Sequence, residues 1–285
     1  MPQTGDGPGR AVVDHYSRPG PAGRILAALA EAGLGSGRLS AADLAVLDQL
    51  HPRGPEGTAA QAAAAGLDPG ARVLDIGAGL GGPARHLAEN AGCIVVALDL
   101  TPELCAAGAM LTARCGLAGA VTHLAGDGCR LPFRDGSFDA VWVQYTLMNV
   151  ADKAGLLAEA FRVLRPGGRL AVGDVAEGDG RALRYPVPWG TGPELTFLVA
   201  PDALRALAEA AGFRIRTFDD ETAATLDWWQ RMRARPRPAT PSPSPSPLGP
   251  HLAFGPDARE KVANLMAGFA DGRVREVRLI ADRPG

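Results

Sequence analysis

The chain has 285 residues, of which 46% are hydrophobic and 21% are charged, so it can bury a large core and is not a disordered chain. Its formal net charge is −2 and it contains no block of Lys and Arg, which argues against a nucleic-acid partner. It has no apolar run of about 18 residues and no signal-peptide pattern at its start, so we expect a cytoplasmic protein with no membrane partner.

The first predicted elements, within residues 1–68, are an arm followed by a helical cap. Residues 1–20 are rich in Gly and Pro, which is typical of a loose arm. Apolar residues at helical spacing then predict three helices, over residues 21–34, 40–50 and 55–67. Ser40 and Asp43 have the spacing of a capping box, so we expect the second of these helices to begin there.

From residue 69 onwards, short β-branched runs alternate with helical patterns. We predict seven strands, at residues 71–77, 93–100, 121–127, 138–150, 169–175, 213–220 and 274–281. Helices are predicted over residues 82–92, 101–117, 153–164, 201–212 and 256–269. This alternation predicts an α/β fold, Rossmann-like, with a seven-stranded, mostly parallel sheet and helices on both faces.

We expect residues 69–285 to form one domain. The Pro-rich run at 235–250 fits neither helix nor strand and predicts a surface loop. The last strand is expected to close an edge of the sheet. Four cysteines lack a C-x-x-C spacing, so we predict free thiols, no disulfide framework and no metal site. These are Cys93, Cys105, Cys115 and Cys129.

A glycine-rich stretch, RVLDIGAGLGGPARHLA at residues 72–88, joins the first predicted strand to a helix. In an α/β sheet such a turn lies where ligands bind, beyond the carboxyl ends of the strands. The glycines between Gly77 and Gly82 let the main chain turn sharply and approach a ligand closely. The letters also satisfy the fingerprint of dinucleotide-binding turns, so the glycines alone do not identify the ligand.

Three aspartates at the ends of the first three strands indicate the kind of ligand. Asp75 lies just before the glycines, where a carboxylate repels a pyrophosphate but favours a cationic ligand such as S-adenosylmethionine (SAM). Alternatively, Asp75 only caps the turn through backbone N–H groups. Asp99 ends the second strand, where an acid binds ribose hydroxyls in these folds. Asp127, after the third strand, can accept from an adenine amino group while Gly128 or Cys129 offers a backbone N–H.

The stretches VLDIGAGLGGPARHLA, ALDLT, GDGCRLPFRDGSFDAV and EAFRVLRPGGRLAV resemble the motifs of class I SAM-dependent methyltransferases, over residues 70–175. The resemblance is nearest to the small-molecule branch of sarcosine/dimethylglycine, tocopherol and ubiquinone methyltransferases, and bacterial indole C3-methyltransferases are a further comparison. It implies SAM as cofactor and S-adenosylhomocysteine as product. It also implies a cofactor site of Asp75, Gly77, Ala78, Gly79 and Gly81 (methionine end), Asp99 and Leu100 (ribose), Asp127, Gly128 and Cys129 (adenine), and Gln144 beside the methionine part.

Methyl transfer from a sulfonium is an in-line displacement, so the protein mainly aligns the acceptor against the methyl group. The resemblance implies an N-terminal tyrosine and a histidine over the methyl group, and we expect Tyr16 and His51 as catalytic residues. The expected substrate-binding residues are Tyr145, Met148, Asn149 and Trp189. Each also has an ordinary interpretation, such as a packing anchor for Tyr16, a helix-end histidine for His51 or a core side chain for Trp189.

These features predict a methyltransferase for a small specialised metabolite, with a carbon or nitrogen acceptor of indole-like or amine character. The insert at 176–200 has no evident arginine pair for a substrate carboxylate, which disfavours an amino-acid acceptor. Two alternatives stay open. One is an NAD-dependent oxidoreductase, against which the absence of a Tyr-x-x-x-Lys pair speaks, and the other is a SAM-binding protein without catalysis. The helical cap is also a candidate surface for a homodimer.

Overall fold

The computed structural model describes residues 8–17, 20–234 and 246–285. Within them, a seven-stranded sheet forms the centre of the fold. Its strands are β1 (Arg72–Ile76), β2 (Ile94–Asp99), β3 (Val121–Ala125), β4 (Phe138–Gln144), β5 (Leu164–Glu177), β6 (Arg214–Asp220) and β7 (Val274–Asp282). Residues 235–245 of the predicted Pro-rich loop, and residues 1–7 and 18–19 of the predicted arm, lie outside the described residues.

The strands lie in the order β3-β2-β1-β4-β5-β7-β6. Strands β1 to β5 pair in parallel, whereas β7 runs antiparallel to both of its neighbours. The predicted α/β class, strand number and mostly parallel sheet are confirmed. The expected edge position of the last strand is wrong, because β7 pairs with β5 on one side and with β6 on the other.

Helices cover both faces of the sheet. They are α1 (Pro8–Tyr16), α2 (Pro21–Glu31), α3 (Ala41–Asp48), α4 (Gly54–Ala65), α5 (Gly82–Ala91), α6 (Pro102–Arg114), α7 (Lys153–Val163), α8 (Pro201–Ala210), α9 (Thr222–Ala234), α10 (His251–Phe254) and α11 (Ala258–Asp271). The prediction of a loose arm is wrong for residues 8–16, which form α1, and α9 was not predicted. Of the helices in the described ranges, none has the length and apolar character needed to cross a membrane.

The predicted start of the second cap helix is confirmed by its hydrogen bonds. Ser40 Oγ accepts the N–H of Asp43 at 3.2 Å, and Asp43 Oδ2 accepts the N–H of Ser40 at 2.8 Å, which is a complete capping box. The apolar residues of α2 and α3 then join α6 in a buried cluster, so the cap packs on the helical layer of the sheet. The boundary between residues 68 and 69 stays a prediction.

The two faces of the sheet pack against different helices. On one face, Leu74 and Ile76 join a buried cluster with α7 and α8. On the other face, Val73 and Trp142 pack against α4 and α5. Because side chains alternate along a strand, Asp75 lies on the same face as Val73, the face that α4 and α5 cover.

Strand β4 ends at Gln144, although the sequence predicts a strand that continues to residue 150. The backbone N–H groups of Thr146 and Leu147 donate to the buried carboxylate of Asp174 on β5, at 2.7 and 2.6 Å. These hydrogen bonds turn the chain into a 3-10 turn over Leu147–Asn149. The residues after β4 therefore lie across the carboxyl edge of the sheet instead of extending it.

Candidate functional site

The glycine-rich turn joins β1 to α5 at the carboxyl edge of the sheet. A Cβ atom at Gly77 would lie 2.2 Å from Thr146 Oγ1, so the turn packs closely against the residues after β4. Gly79 has a φ of +54° and no heavy atom within 4 Å of the place where its Cβ would stand. Open space therefore lies beside Gly79, and a ligand can approach the main chain there.

Asp75 is buried behind this turn, with 2% of its surface exposed. Its Oδ2 atom has no hydrogen-bond partner among the described residues. Burial, and then the nearby carboxylate of Asp99, raise the pKa of Asp75 to about 8. A cation beside Asp75 would supply the missing partner and favour the charged carboxylate, whereas a phosphate would be repelled.

Asp99 is the last residue of β2 and fastens the glycine turn to that strand. Its Oδ2 accepts the N–H of Gly79 at 2.8 Å, and its Oδ1 accepts the N–H of Thr101 at 2.8 Å. Burial raises the pKa of Asp99, and these hydrogen bonds oppose the rise. A carboxylate oxygen has two lone pairs, so Asp99 can still accept from ribose hydroxyls. Leu100 next to it lies under α1, because a Cβ atom at Gly9 would be 3.7 Å from Leu100 Cδ2.

Asp127 stands in the loop after β3, which ends at Ala125, and it is exposed. Its Oδ1 accepts the N–H of Cys129 at 2.8 Å, so in this structure the Cys129 N–H forms a hydrogen bond within the loop. Gly128 packs tightly, because a Cβ atom there would be 2.6 Å from Ile76 Cγ2. The adenine contacts expected of these three loop residues stay a prediction.

The strand order brings the predicted cofactor residues to one edge. Strands β3, β2, β1 and β4 are neighbours in the sheet, and their carboxyl ends carry a row of polar side chains, namely Asp127, Asp99, Asp75 and Gln144. The buried Gln144 accepts at Oε1 from Trp142 Nε1 at 3.1 Å and from Thr58 Oγ1 at 3.4 Å. In the described ranges, no group of three His, Cys, Asp or Glu side chains is arranged to hold a metal ion.

Helix α1 and the turn after β4 meet over this edge. The Tyr16 hydroxyl donates to Asn149 Oδ1 at 3.0 Å, and Asn149 Nδ2 donates to the carbonyl oxygen of Trp189 at 3.1 Å. Burial, followed by the negative charge of Asp99, raises the pKa of Tyr16. The structure thus brings Tyr16 and Asn149 together near the predicted ribose site, and their roles stay predictions.

Two of the predicted substrate-binding residues lie inside the core. Trp189 is 1% exposed, and its indole N–H donates to Thr196 Oγ1 at 3.2 Å. Met148 belongs to the same buried cluster. Side chains this buried touch a ligand only if the cluster opens, so the structure favours the core interpretation for both.

His51 stacks on Tyr145, with ring centroids 5.1 Å apart and an interplanar angle of 9°. Its Nδ1 lies 3.0 Å from the Pro52 carbonyl oxygen, which can only accept, so we place the ring proton on Nδ1. Its Nε2 lies 3.1 Å from Thr58 Oγ1 and 3.0 Å from the side chain of Gln49. Burial lowers the pKa of His51 to about 4, which keeps the ring neutral at neutral pH. The predicted catalytic role of His51 therefore competes with these internal contacts.

Tyr145, the other ring of this stack, has an unusual backbone conformation, with a φ of 51°. Its hydroxyl donates to Glu276 Oε1 at 2.5 Å, and Thr225 Oγ1 donates to the other oxygen of Glu276. Glu276 is 6% exposed, and burial raises its pKa to about 8. Sequence reasoning missed Glu276, and the available signal was a lone acid between Arg275 and Arg278 in the predicted strand VREVRLIA.

A cavity of about 10 Å³ lies beside Glu276, between the start of α4 and the strands β4, β5 and β7. Among its lining residues, Arg53 forms an ion pair with Glu221, and Arg278 contacts Glu221 at 3.0 Å. The Nε atoms of Arg53 and Arg278 have no hydrogen-bond partner within the described ranges. The volume is that of one water molecule, so this is a polar interior cavity and not a pocket for an acceptor.

Comparison with known proteins agrees with the geometry of the edge. The family described as "Methyltransferase domain" matches residues 74–172. The demethylmenaquinone methyltransferase of Beutenbergia cavernae is 36% identical over 165 residues, which cover 58% of this chain and 62% of that protein. The demethylmenaquinone methyltransferase of Thermus thermophilus is 35% identical over 172 residues, which cover 51% of this chain and 75% of that protein. The chain thus spans less than two thirds of the Beutenbergia cavernae relative.

A solved structure with the same architecture is phosphoethanolamine N-methyltransferase 2 of Haemonchus contortus, in complex with phosphomonomethylethanolamine and S-adenosylhomocysteine. It matches with a TM-score of 0.70 and 20% identity, over 96% of this chain and 60% of that chain. At this identity the likeness shows the fold alone. Together with the sequence matches, it shows that the chain belongs to the SAM-dependent methyltransferases with the class I fold.

Proposed function

We propose that the protein transfers the methyl group of SAM to a carbon or nitrogen atom of a small acceptor. The observation that carries this proposal is the buried Asp75 Oδ2, which has no partner among the described residues and lies behind a turn with open space at Gly79. A ligand with an ammonium and a sulfonium and no phosphate suits this acidic edge. When bound, SAM supplies a methyl group that is already activated for displacement.

Each aspartate at this edge of the sheet would bind a different part of SAM. Asp75 would pair with the ammonium group, Asp99 would accept from the ribose hydroxyls, and Asp127 would accept from the adenine amino group. The hydrogen bond between Tyr16 and Asn149 holds α1 across this edge, which would limit the access of water to the reacting atoms. The chain's own contribution is therefore to bind, orient and enclose.

The neighbouring side chains support an apolar acceptor. Several partly buried residues pack against the cluster that contains Met148 and Trp189, including Tyr145, Tyr185, Leu226 and Trp229. Aromatic and aliphatic side chains of this kind suit a flat, weakly polar molecule. The names of the two relatives add a quinone to the indole-like and amine acceptors that the sequence suggests.

A carboxylate-bearing acceptor is less well supported. The two arginines of the insert after β5 are already paired, Arg181 with Asp179 and Arg184 with Asp271. Neither is left over to recognise a substrate carboxylate. We therefore keep an amino-acid acceptor outside the proposal, and we retain Tyr16 and His51 as the proposed residues nearest the methyl group.

The test is transfer of a methyl label. The purified protein is incubated with SAM that carries a labelled methyl group and, separately, with indole, a secondary amine or reduced demethylmenaquinone, and the products are identified by mass spectrometry. Label in any of these acceptors supports the proposal. Tight binding of SAM without transfer to any of them would overturn it in favour of a SAM-binding protein without catalysis.

A further inference from the structure

Glu276 is a buried acid that the cofactor edge does not use. It lies on β7, outside the residues 74–172 that match the methyltransferase family. The charged or titratable groups that act on it are Arg53 before α4, Tyr145 after β4, Glu221 before α9 and Arg278 on β7 itself, whereas the neighbouring β5 contributes only Gly173 to the cavity beside it. Burial of an ionisable side chain is unfavourable, so the packing of β7 alone does not explain an acid at this position.

The guanidinium groups near Glu276 are engaged elsewhere. Arg53 pairs with Glu221, and Arg278 pairs with both Glu221 and Asp219. The carboxyl group of Glu276 is instead held by two hydroxyls, those of Tyr145 and Thr225. Without an ion pair of its own, the buried carboxyl keeps a proton near neutral pH, and its pKa of about 8 reflects this.

Tyr145 connects this acid to the proposed acceptor side. It directly follows Gln144 of the cofactor edge, and its ring belongs to the partly buried apolar lining around Met148. Its ring stacks on His51 and its hydroxyl donates to Glu276, while its backbone has a positive φ, a conformation that costs free energy and clusters at functional sites. At 2.5 Å, the contact from the Tyr145 hydroxyl to Glu276 Oε1 is at the short end of the range for hydrogen bonds between two oxygen atoms.

We propose that Glu276 takes up the proton that the acceptor releases, through the hydroxyl of Tyr145. The proposal rests on the proposed function. In the displacement, an electron pair of the acceptor forms the new bond to the methyl carbon while the carbon–sulfur bond breaks and leaves its pair on sulfur. The methylated acceptor then gives its proton to the Tyr145 oxygen, and the Tyr145 hydroxyl proton passes to Glu276 Oε1.

This step defines the class of acceptor. It must be a molecule that carries an N–H, O–H or acidic C–H and has to lose that proton on methylation, such as an amine with N–H, an indole or a hydroquinone. A tertiary amine has no such proton and gains nothing from Glu276. Tyr145 is the residue expected to touch the acceptor, and Glu276 is a positioning residue that acts through it.

A first experiment needs no acceptor. The protein has three tyrosines, so ring-labelled tyrosine gives few NMR signals, and Tyr145→Phe identifies the signal of Tyr145. We expect this signal to shift with pH around a midpoint of about 8 in the wild type, and to lose the transition in Glu276→Gln. Thr225→Val removes a donor that stabilises the carboxylate, so it should raise the midpoint. A Tyr145 signal that titrates identically in Glu276→Gln would overturn the proposal.

A second experiment measures methyl transfer to indole and to reduced demethylmenaquinone across the same pH range at saturating SAM, so that the pH dependence of SAM affinity through Asp75 does not enter the rate. The wild-type rate should rise with pH through about 8, because only the charged carboxylate of Glu276 can take up a proton. Glu276→Gln should lose about 100-fold of the plateau rate together with this pH dependence, in line with general-base catalysis. The Thr225→Val variant should show the raised midpoint, because it retains the carboxyl group of Glu276 but lacks the hydroxyl that donates to it.

A purely structural clamp would give a different pattern. In that case Thr225→Val and Glu276→Gln would lower the free energy of unfolding by similar amounts and the rate of methyl transfer by similar factors. The pH profile of the wild type would be preserved in both variants, and the proposal would be wrong. Calorimetric titration with SAM distinguishes failure of the proposed function from failure of this inference alone. If the wild type does not bind SAM, the proposed function fails. If it binds SAM and the Tyr145 signal does not follow Glu276, only this inference fails.

Discussion

Asp75 and Asp99 stand on neighbouring strands, yet the structure gives their carboxylates different surroundings. Asp99 is bound by the N–H groups of Gly79 and Thr101, so it already shapes the glycine turn without a ligand. Asp75 Oδ2 has no partner among the described residues, and burial raises the pKa of Asp75 to about 8. Asp99 therefore stabilises the turn, whereas the carboxyl group of Asp75 is free to pair with a positively charged ligand group.

Replacing Asp99 with Ala should weaken SAM binding roughly 10- to 100-fold. The variant removes an acceptor for the Gly79 N–H and for ribose hydroxyls, and hydrogen bonds to a charged group contribute about 1.5–3 kcal/mol. Isothermal titration calorimetry measures the change. Asp68→Ala, at an exposed position before β1, is the matched control and should bind SAM like the wild type. Unchanged affinity in Asp99→Ala would contradict the assignment.

The affinity for SAM should depend on pH through Asp75. Its folded-state pKa of about 8 lies above the ordinary value of 3.8, so the ligand-free folded protein holds a proton that the unfolded chain releases between these pH values. The contribution of Asp75 to the free energy of unfolding therefore falls as the pH rises through this window. A bound cation favours the carboxylate, so SAM affinity should rise over the same window.

The measurement is calorimetric titration of SAM at about pH 6 and about pH 8, within the window set by the raised pKa of Asp75. Asp75→Asn cannot ionise, so any pH dependence that it retains belongs to SAM itself or to other groups. We expect the rise in affinity to be larger in the wild type than in the variant. Equal pH dependence in both proteins would show that Asp75 does not pair with the ligand.

At the scale of elements, the cap and the glycine turn are joined by a buried ion pair. Arg85 of α5 pairs with Asp48 of α3 and donates to Thr112 Oγ1 of α6 at 3.0 Å. A Cβ atom at Gly82 would lie 2.4 Å from the Asp48 carbonyl oxygen, so α3 sits directly on the first residue of α5. The cap thus supports the start of the helix that follows the cofactor turn.

Asp48→Ala should lower the free energy of unfolding by about 3–5 kcal/mol, because it leaves the fully buried Arg85 charge without its partner. Urea unfolding followed by circular dichroism measures this. Asp227→Ala is the matched control, since Asp227 forms an exposed ion pair with Arg231 that contributes about 0–1 kcal/mol. Similar losses in the two variants would mean that the buried pair does not hold the cap in place.

Across the whole molecule, the features that could be predicted from the sequence are those that depend on residues close together in the chain. Asp75 and Asp99 each lie within a few positions of the turn that follows their strand. Hydrophobic periodicity and the spacing of the glycines were therefore enough to predict the position of both aspartates at the edge of the sheet. The Tyr145–Glu276 hydrogen bond joins residues 131 positions apart, and nothing in either segment points to the other. The insertion of β7 between β5 and β6 likewise depends on pairing between distant strands. The fold class and the cofactor edge were therefore predictable, whereas the surroundings of Glu276 required the structure.

We propose that a phosphate-free, positively charged nucleoside binds the acidic edge of this sheet. The most direct measurement is calorimetric titration of the wild-type protein with SAM and, in parallel, with NAD⁺. Above about pH 8, where the carboxyl group of Asp75 is mainly charged, we expect SAM to bind at micromolar strength and NAD⁺ to give no binding heat, because the charged carboxylate repels a pyrophosphate. Binding of NAD⁺ without binding of SAM would show that this edge holds a pyrophosphate-bearing nucleoside instead.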